Sequence, residues 1–548
     1  MINFIKNFKI DTMKLKSFLF LMILFQLEIV GQSDYPKDYL SKEFHEGRRS
    51  AFRESMPANS VAIIFAFSER LFSNDMNYKY HPNPDLYYLT GYTEPNACLL
   101  LFKEHQGSSE NGYSELFFVR NHDEWMEMWT GKRLGVEGVR DKLGFMNVKY
   151  GSEFKDFDID FSKFSHILHD KIITEFQKDN TGYDVIGLVE TFIKKANIKI
   201  DPKTDRVIAI HNALKEYLEL DMLSYLIPAY EKLMIDNEVA RNDDILKRVI
   251  SNPDSAAIEK IKKDIIFVET SVDKYNAVIN NLREVKTEEE LVLLRKAVDL
   301  SCIGHNEVIR ACEPQMGENH AHGIHLYVHK HYNAEGEGYE PIVGAGANGC
   351  ILHYDQNIKT KLNNELLLMD VGAEYHGYTA DVTRTFPPNG KFSPEQKAIY
   401  QIVYEAQEEV FKICKEGTPF EELQNVAMEV IADGLLKLGI IKESSEAEIY
   451  YPHGCSHYLG LDVHDRGTYG LLKVNSVITV EPGIYIPEGS DCDPKWWNIG
   501  VRIEDDVVIL KDSYELLSDL SPRKWDEVEQ LAQERSIFND LKLPEIGH

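Results

Sequence analysis

Asp370–Phe392 reads DVGAEYHGYTADVTRTFPPNGKF. Asp370 closes the apolar run ELLLMD, and Asp381 follows the turn-rich EYHGYTAD. A carboxylate at the end of an apolar strand-like run is costly unless it is paired or binds metal. The two aspartates flank a glycine-containing turn, so a hairpin between them would let them face each other.

Outward from this stretch, strand-like runs alternate with Gly-rich turns at Glu365–Gly372, Tyr378–Phe386, Val477–Ile486 and Gly500–Leu510. Two amphipathic helices are expected over roughly Pro394–Lys415 and Phe420–Leu438. A further helix is expected over Thr287–Cys312, opened by Thr287 and Glu290 at capping-box spacing. The expectation for this half, residues 281–548, is an α+β domain with a strongly bent antiparallel sheet.

Three more candidate groups lie in it. Glu481 stands in VITVEPGIYI, and Glu504 in GVRIEDDVVIL with Arg502 two residues before it on the same strand face. His457 lies in the Gly-flanked HGCSHYLG. Any one such carboxylate is more often a solvated turn residue or an ion-pair partner than a ligand. Four buried together would repel and take up protons, whereas two divalent cations would match their charge. An oxygen-rich set with one imidazole suits Mn(II), and cobalt, zinc or iron would also fit.

The first half is expected to be an α/β domain. Ser60–Phe67 (SVAIIFAF) and Ala97–Phe102 (ACLLLF) are short apolar runs bounded by turn residues, as buried strands are. The domain is assigned residues 33–280, with a possible insertion over 152–269 that carries no recognisable chemistry and no internal repeat.

The chain has 548 residues, 43% hydrophobic and 27% charged, with a formal charge of -29. So acidic a surface argues against nucleic acid as a partner. Seven scattered cysteines without a CxxC pair support neither a disulfide framework nor a zinc ribbon. Residues 1–32 read as an export signal: Lys14 and Lys16, the apolar run Phe18–Phe25, then the small Gly31. Met13 is an alternative start. With the signal used, the protein is periplasmic or secreted, and otherwise cytoplasmic. No other stretch reads as a membrane span. A homo-oligomer is expected. The histidine-rich HAHGIHLYVHKHY (His320–Tyr332) places His325 and His329 one helical turn apart, but lacks the Glu of HExxH. It is set aside as a face turned to solvent or to packing.

The five candidate ligands and their surroundings resemble the pita-bread metallopeptidases, and most closely aminopeptidase P (Xaa-Pro aminopeptidase). The matching stretches are IVGAGANGCILHY (342–354), the 370–392 segment, HGCSHYLGLDVHD (453–465), TVEPGIYI (479–486) and GVRIEDDVVI (500–509). The first half joins in through YKYHPNPDLYYLTGYTEPNACLLLF (78–102) and WTGKRLG (129–135).

The resemblance implies a pita-bread catalytic domain and two metal ions. Asp381 and Glu504 would touch both, Asp370 one, and His457 with Glu481 the other. It implies His353, His464 and Glu481 as catalytic groups, and His453, Arg502, Tyr485 and Asp75 as substrate contacts. The expected reaction is release of the residue before a second-position proline, by attack of a metal-bridging hydroxide on the Xaa-Pro bond. A prolidase restricted to dipeptides, or a non-catalytic binding protein on the same fold, is the alternative.

Overall fold

A computed structural model describes residues 36–108, 112–172, 184–198, 201–220, 222–266, 268–541 and 543–544. The expected export signal, residues 1–32, lies outside them. Among the described residues no helix is long and apolar enough to cross a membrane.

The N-terminal sheet has the strand order β6-β5-β4-β1-β7. Its strands are β1 (Ser60–Phe65), β4 (Cys98–Gln106), β5 (Tyr113–Val119), β6 (Val148–Tyr150) and β7 (His166–His169). β1 pairs antiparallel with β4 and parallel with β7. With neighbours on both edges and packing on both faces, it is an unbroken apolar run rather than an alternating one. The helix Val185–Ala196 covers one face, setting Leu188 and Phe192 among Val61, Leu100 and Phe118. A separate hairpin, β2 (Leu71–Ser73) with β3 (Met76–Asn77), is exposed throughout.

Part of the 152–269 stretch builds its own core. Short helices between Pro202 and Asp264 pack Leu214, Leu233, Leu246, Val249 and Ile261 against one another. These are interrupted amphipathic segments, one with Pro228 inside it, so the sequence shows no long helical repeat.

α1 (Ser271–Glu284) spans the expected boundary at 280, and α2 (Glu288–Ala311) follows, capped by the expected Thr287–Glu290 box. Next come α3 (Glu318–His331), α4 (Pro394–Phe411) and α5 (Phe420–Leu438). The bent sheet appears as short antiparallel pieces: β13-β10-β9, β12-β11-β8, β14-β17-β18 and β15-β16. The strands are β8 (Gly336–Glu337), β9 (Ile342–Ala345), β10 (Leu367–Asp370), β11 (Ala373–Tyr375), β12 (Tyr378–Thr379), β13 (Thr383–Phe386), β14 (Val477–Val480), β15 (Gly483–Ile486), β16 (Ile499–Arg502), β17 (Asp505–Ile509) and β18 (Tyr514–Leu516).

Two joints place the acids. The β11–β12 hairpin turns through His376 and Gly377, at φ 51° and 85°, the sign a tight two-residue turn requires. It returns the chain so that Asp370 on β10 pairs with Thr383 on β13. An isolated bridge then joins Thr383 to Glu504. Asp370, Thr383 and Glu504 thus stand side by side across three strands. At Gly372 a Cβ would lie 1.7 Å from the Ala380 carbonyl oxygen, so only glycine lets the hairpin legs come this close.

Candidate metal centre

A cavity of about 310 Å3 opens at these joints. Asp370, Asp381, His457, Glu481 and Glu504 line it, together with His353, His453, His464 and Arg502. Ligating atoms of Asp381, His457 and Glu504 all lie within 4.8 Å of one another. The structure thus brings together nine of the eleven residues singled out in the sequence.

Each side chain is aimed by its own backbone. His457 runs beside β14: its carbonyl accepts from Thr479 N at 3.0 Å. Its Nδ1 lies 3.0 Å from the Tyr458 carbonyl oxygen, which can only accept, so Nδ1 carries the proton. Nε2 is thereby turned to Asp381 Oδ2 at 3.3 Å and Glu481 Oε1 at 3.4 Å. Fixing the remote ring nitrogen is how proteins orient metal-binding histidines.

The electrostatics are those of a site short of positive charge. Burial, with repulsion from Asp370, pushes Asp381 up to about 6. Burial and the neighbouring aspartates push Glu481 up to about 7. Glu504 is driven well above the carboxylate range by burial, Asp381 and Glu481. Burial by itself would lower His457, but Asp381 and Glu481 outweigh it and raise the imidazole to about 9. Tyr339 places one hydroxyl 2.5 Å from Asp370 Oδ1 and 2.6 Å from Asp381 Oδ1, and its single proton serves one acid at a time. These residues fit divalent cations: the donors are hard oxygens with one imidazole, and cations would relieve the repulsion.

One wall of the cavity is a hydrogen-bonded chain. Arg502 Nη2 donates to Asp370 Oδ2 at 2.6 Å, and Nη1 to the Tyr485 hydroxyl at 2.8 Å. The Tyr485 oxygen lies 2.8 Å from His453 Nε2. His453 Nδ1 donates to the Gly454 carbonyl. Burial, aided by Arg502, lowers His453 to about 4. The ring is therefore neutral at pH 7, and its Nε2 accepts from Tyr485.

Strand spacing pairs Arg502 with Glu504, but its Nε stands 3.8 Å from that carboxylate. Its main partner is Asp370, because β16 ends at Arg502 and the guanidinium reaches across to β10.

Asp75 is not brought to the cavity. It occupies the exposed turn between β2 and β3, which pair only with each other. The N-terminal half approaches the site through Asp85 instead. That buried carboxylate accepts from Arg283 at 2.6 Å, Tyr275 at 2.9 Å and Arg466 at 3.0 Å. Arg283 also reaches Asp462 at 2.9 Å and Asp465, while Lys286 holds Asp465 at 2.8 Å. His464 lies inside this tethered 462–466 segment, its ring 4.4 Å from that of His457.

Tyr339, Thr383 and Asp506 were not singled out in the sequence. Thr383 Oγ1 donates to Glu504 Oε2 at 2.5 Å, and Asp506 Oδ2 accepts from Asp381 N at 3.0 Å. A hydroxyl or a second acid beside DD carries no local signal of such a role. Two histidines of α3 are turned to packing, while His320 and His331 are exposed. His325 and His329 are fully buried, and with His305 they form a column of rings 4.6 and 4.5 Å apart.

The description "Metallopeptidase family M24" matches residues 292–511, and "Aminopeptidase P, N-terminal domain" matches 45–163. The chain is 32% identical to the Xaa-Pro aminopeptidase of Escherichia coli (strain K12) over 509 residues, covering 90% of this chain and 98% of that protein. The chain belongs to the aminopeptidase P family of M24 metallopeptidases. The Haemophilus influenzae Xaa-Pro aminopeptidase is 29% identical, with 92% of this chain and 99% of that protein covered. Among solved structures, Escherichia coli aminopeptidase P with the inhibitor Pro-Leu superposes with a TM-score of 0.69 at 29% identity, covering 90% of this chain and 98% of that one. Its zinc-substituted form in complex with product matches equally. As a member of the aminopeptidase P family, the chain has the pita-bread fold and is a hydrolase of the metallopeptidase class.

Proposed function

We propose that this protein removes the N-terminal residue from peptides whose second residue is proline. The carrying observation is one cavity that gathers four carboxylates and His457 beside three further histidines, in a chain aligned nearly end to end with Xaa-Pro aminopeptidases. Asp370, Asp381, His457, Glu481 and Glu504 would hold two divalent cations, with Mn(II) favoured by the oxygen-rich set. When bound, the cations supply Lewis acidity and bring water within reach of deprotonation near neutral pH.

The chain's own groups do the rest. Glu481 would take a proton and hand it to the leaving nitrogen. His353 and His464 face the cavity and can donate to the substrate carbonyl oxygen as charge develops there. The Arg502–Tyr485–His453 chain stiffens the substrate-facing wall. Proline has no N–H and a fixed φ. Its recognition therefore depends on shape and on contacts to the carbonyl rather than on the scissile nitrogen.

Two further parts of the proposal concern context. Export rests on the pattern of residues 1–32. Assembly into a homo-oligomer is supported by the exposed pair Trp125 and Trp129, 62% and 72% accessible on one short helix.

The deciding experiment is hydrolysis of Xaa-Pro and Xaa-Pro-Yaa peptides by chelated protein with and without Mn(II). Metal-dependent cleavage of the tripeptide is expected. Cleavage of dipeptides alone would mean a prolidase, and no turnover with Mn(II), cobalt or zinc would leave the binding-protein reading.

A further inference from the structure

Glu318, the first residue of α3, is fully buried. Among the described residues no lysine or arginine is paired with it: Lys359 turns its Nζ to Glu365 and to the Ala345 carbonyl. Four donors hold the carboxylate instead, and all come from one loop. Oε1 accepts from Ala345 N at 2.8 Å and Asn348 Nδ2 at 2.9 Å. Oε2 accepts from the Tyr354 hydroxyl at 3.0 Å and Lys359 N at 2.8 Å. Glu318 N donates back to the Lys359 carbonyl at 2.9 Å. One side chain therefore ties the beginning, middle and end of the 345–359 loop. The preceding Gly317 permits the approach, since a Cβ there would lie 2.9 Å from the Lys359 carbonyl oxygen.

That loop carries His353, next to Tyr354. His353 lines both the metal cavity and a second, open cavity of about 570 Å3 walled by Ile351, Asp355 and Ile358 of the same loop. His353 is itself exposed, and no hydrogen bond within the described structure anchors its ring. Its placement depends on the loop beneath it. A buried carboxylate whose donors all belong to one segment is a strong constraint, because releasing the segment would strand both charge and donors.

We propose that Glu318 is a positioning residue: it fixes the 345–359 loop and so sets His353 at the junction of the two cavities. The kinetic part rests on the peptidase reading above; the structural part does not.

The test is Glu318→Gln, which keeps size but turns an NH2 toward two of the four donors. Hydrogen exchange on the metal-free protein should quicken at least about tenfold at the amides of Ala345 and Lys359, with α4 unchanged. In the Mn(II)-loaded enzyme, kcat/KM for an Xaa-Pro-Yaa peptide should fall about 10–100-fold at unchanged metal content. In a His353→Ala background the same substitution should cost less than about twofold, since its effect passes through that ring. Unchanged exchange in the loop, or an undiminished loss in the His353→Ala background, overturns the proposal. If Glu318→Gln does not fold, Tyr354→Phe and Asn348→Ala, which each remove one donor, must show the same pattern at smaller size. Wild-type protein that cleaves no Xaa-Pro peptide would refute the function while leaving the exchange result to decide the loop.

Discussion

His457 Nε2 stands 3.3 Å from Asp381 Oδ2, with the opposite ring nitrogen committed to a backbone carbonyl. Without metal, this contact is an ion pair: the imidazole is raised to about 9, and the aspartate, though raised, titrates at about 6. A cation entering between them must displace the imidazole proton. Addition of Mn(II) to chelated protein at pH 7 should therefore release protons, and Glu481 at about 7 should add to them. Calorimetric titration in buffers of different ionisation enthalpy measures this. A binding heat independent of buffer would contradict the ligand assignment.

Glu504→Gln should abolish turnover at saturating metal. In the metal-free protein, burial and its acidic neighbours drive Glu504 well above the carboxylate range, toward the neutral form. Glutamine resembles that state, so the melting temperature of the chelated variant should stay within about 2 °C of wild type. What should disappear is the rise in melting temperature on adding metal. Differential scanning calorimetry with and without Mn(II) separates the two effects. Asp381→Ala should likewise lose turnover and remain folded.

Tyr339→Phe removes the hydroxyl shared by Asp370 and Asp381. Loss of such an outer partner typically costs about 10–100-fold in metal affinity. Competition against a metal-binding dye should show that loss, and activity should recover at high Mn(II).

The His305–His325–His329 column predicts acid sensitivity. Burial lowers His305 to about 3, with Arg384 adding to the effect, and lowers His329 to about 4. His325 is held well below the ordinary range by burial and its two histidine neighbours. Nearby Asp370, Glu337, Lys330 and His322 modulate these shifts without reversing them. The unfolded chain protonates these rings first, so their contribution is complete above about 6.5 and is lost as pH falls toward 4. At pH 4.5 that loss would be roughly 2–3 kcal/mol for each of His305 and His329. In chelated protein, His329→Phe should flatten the fall in melting temperature between pH 6.5 and 4.5. Parallel curves for variant and wild type would sink this prediction.

Much of the metal centre was legible in the linear chain. Asp370, Asp381, Glu481 and Glu504 each interrupt or end an apolar strand-like run, and a charge in such a place is conspicuous whatever the fold. The β11–β12 hairpin and the Thr287 capping box were equally local, because turns and caps are written within a few residues. The placement of Asp75 was not legible: it lies near the matching N-terminal block, but its hairpin is exposed and apart from the cavity lining. Arg502 shares a strand face with Glu504, but only the fold shows its long side chain crossing to Asp370.

What tertiary structure alone decided are contacts between distant segments. Tyr339 reaches two acids, Glu318 gathers four donors from one loop, and Arg283 joins Asp85 to Asp465. Nothing in the neighbourhood of a tyrosine or a helix-opening glutamate announces such partners. The His325–His329 spacing was visible, yet not that His305, on another helix, would complete a buried column. The chain by itself determined which residues carry improbable charge, because burial cost follows from local apolar context. Folding decided which of those charges meet and what holds them in place, because hydrogen-bond geometry depends on where separate elements pack.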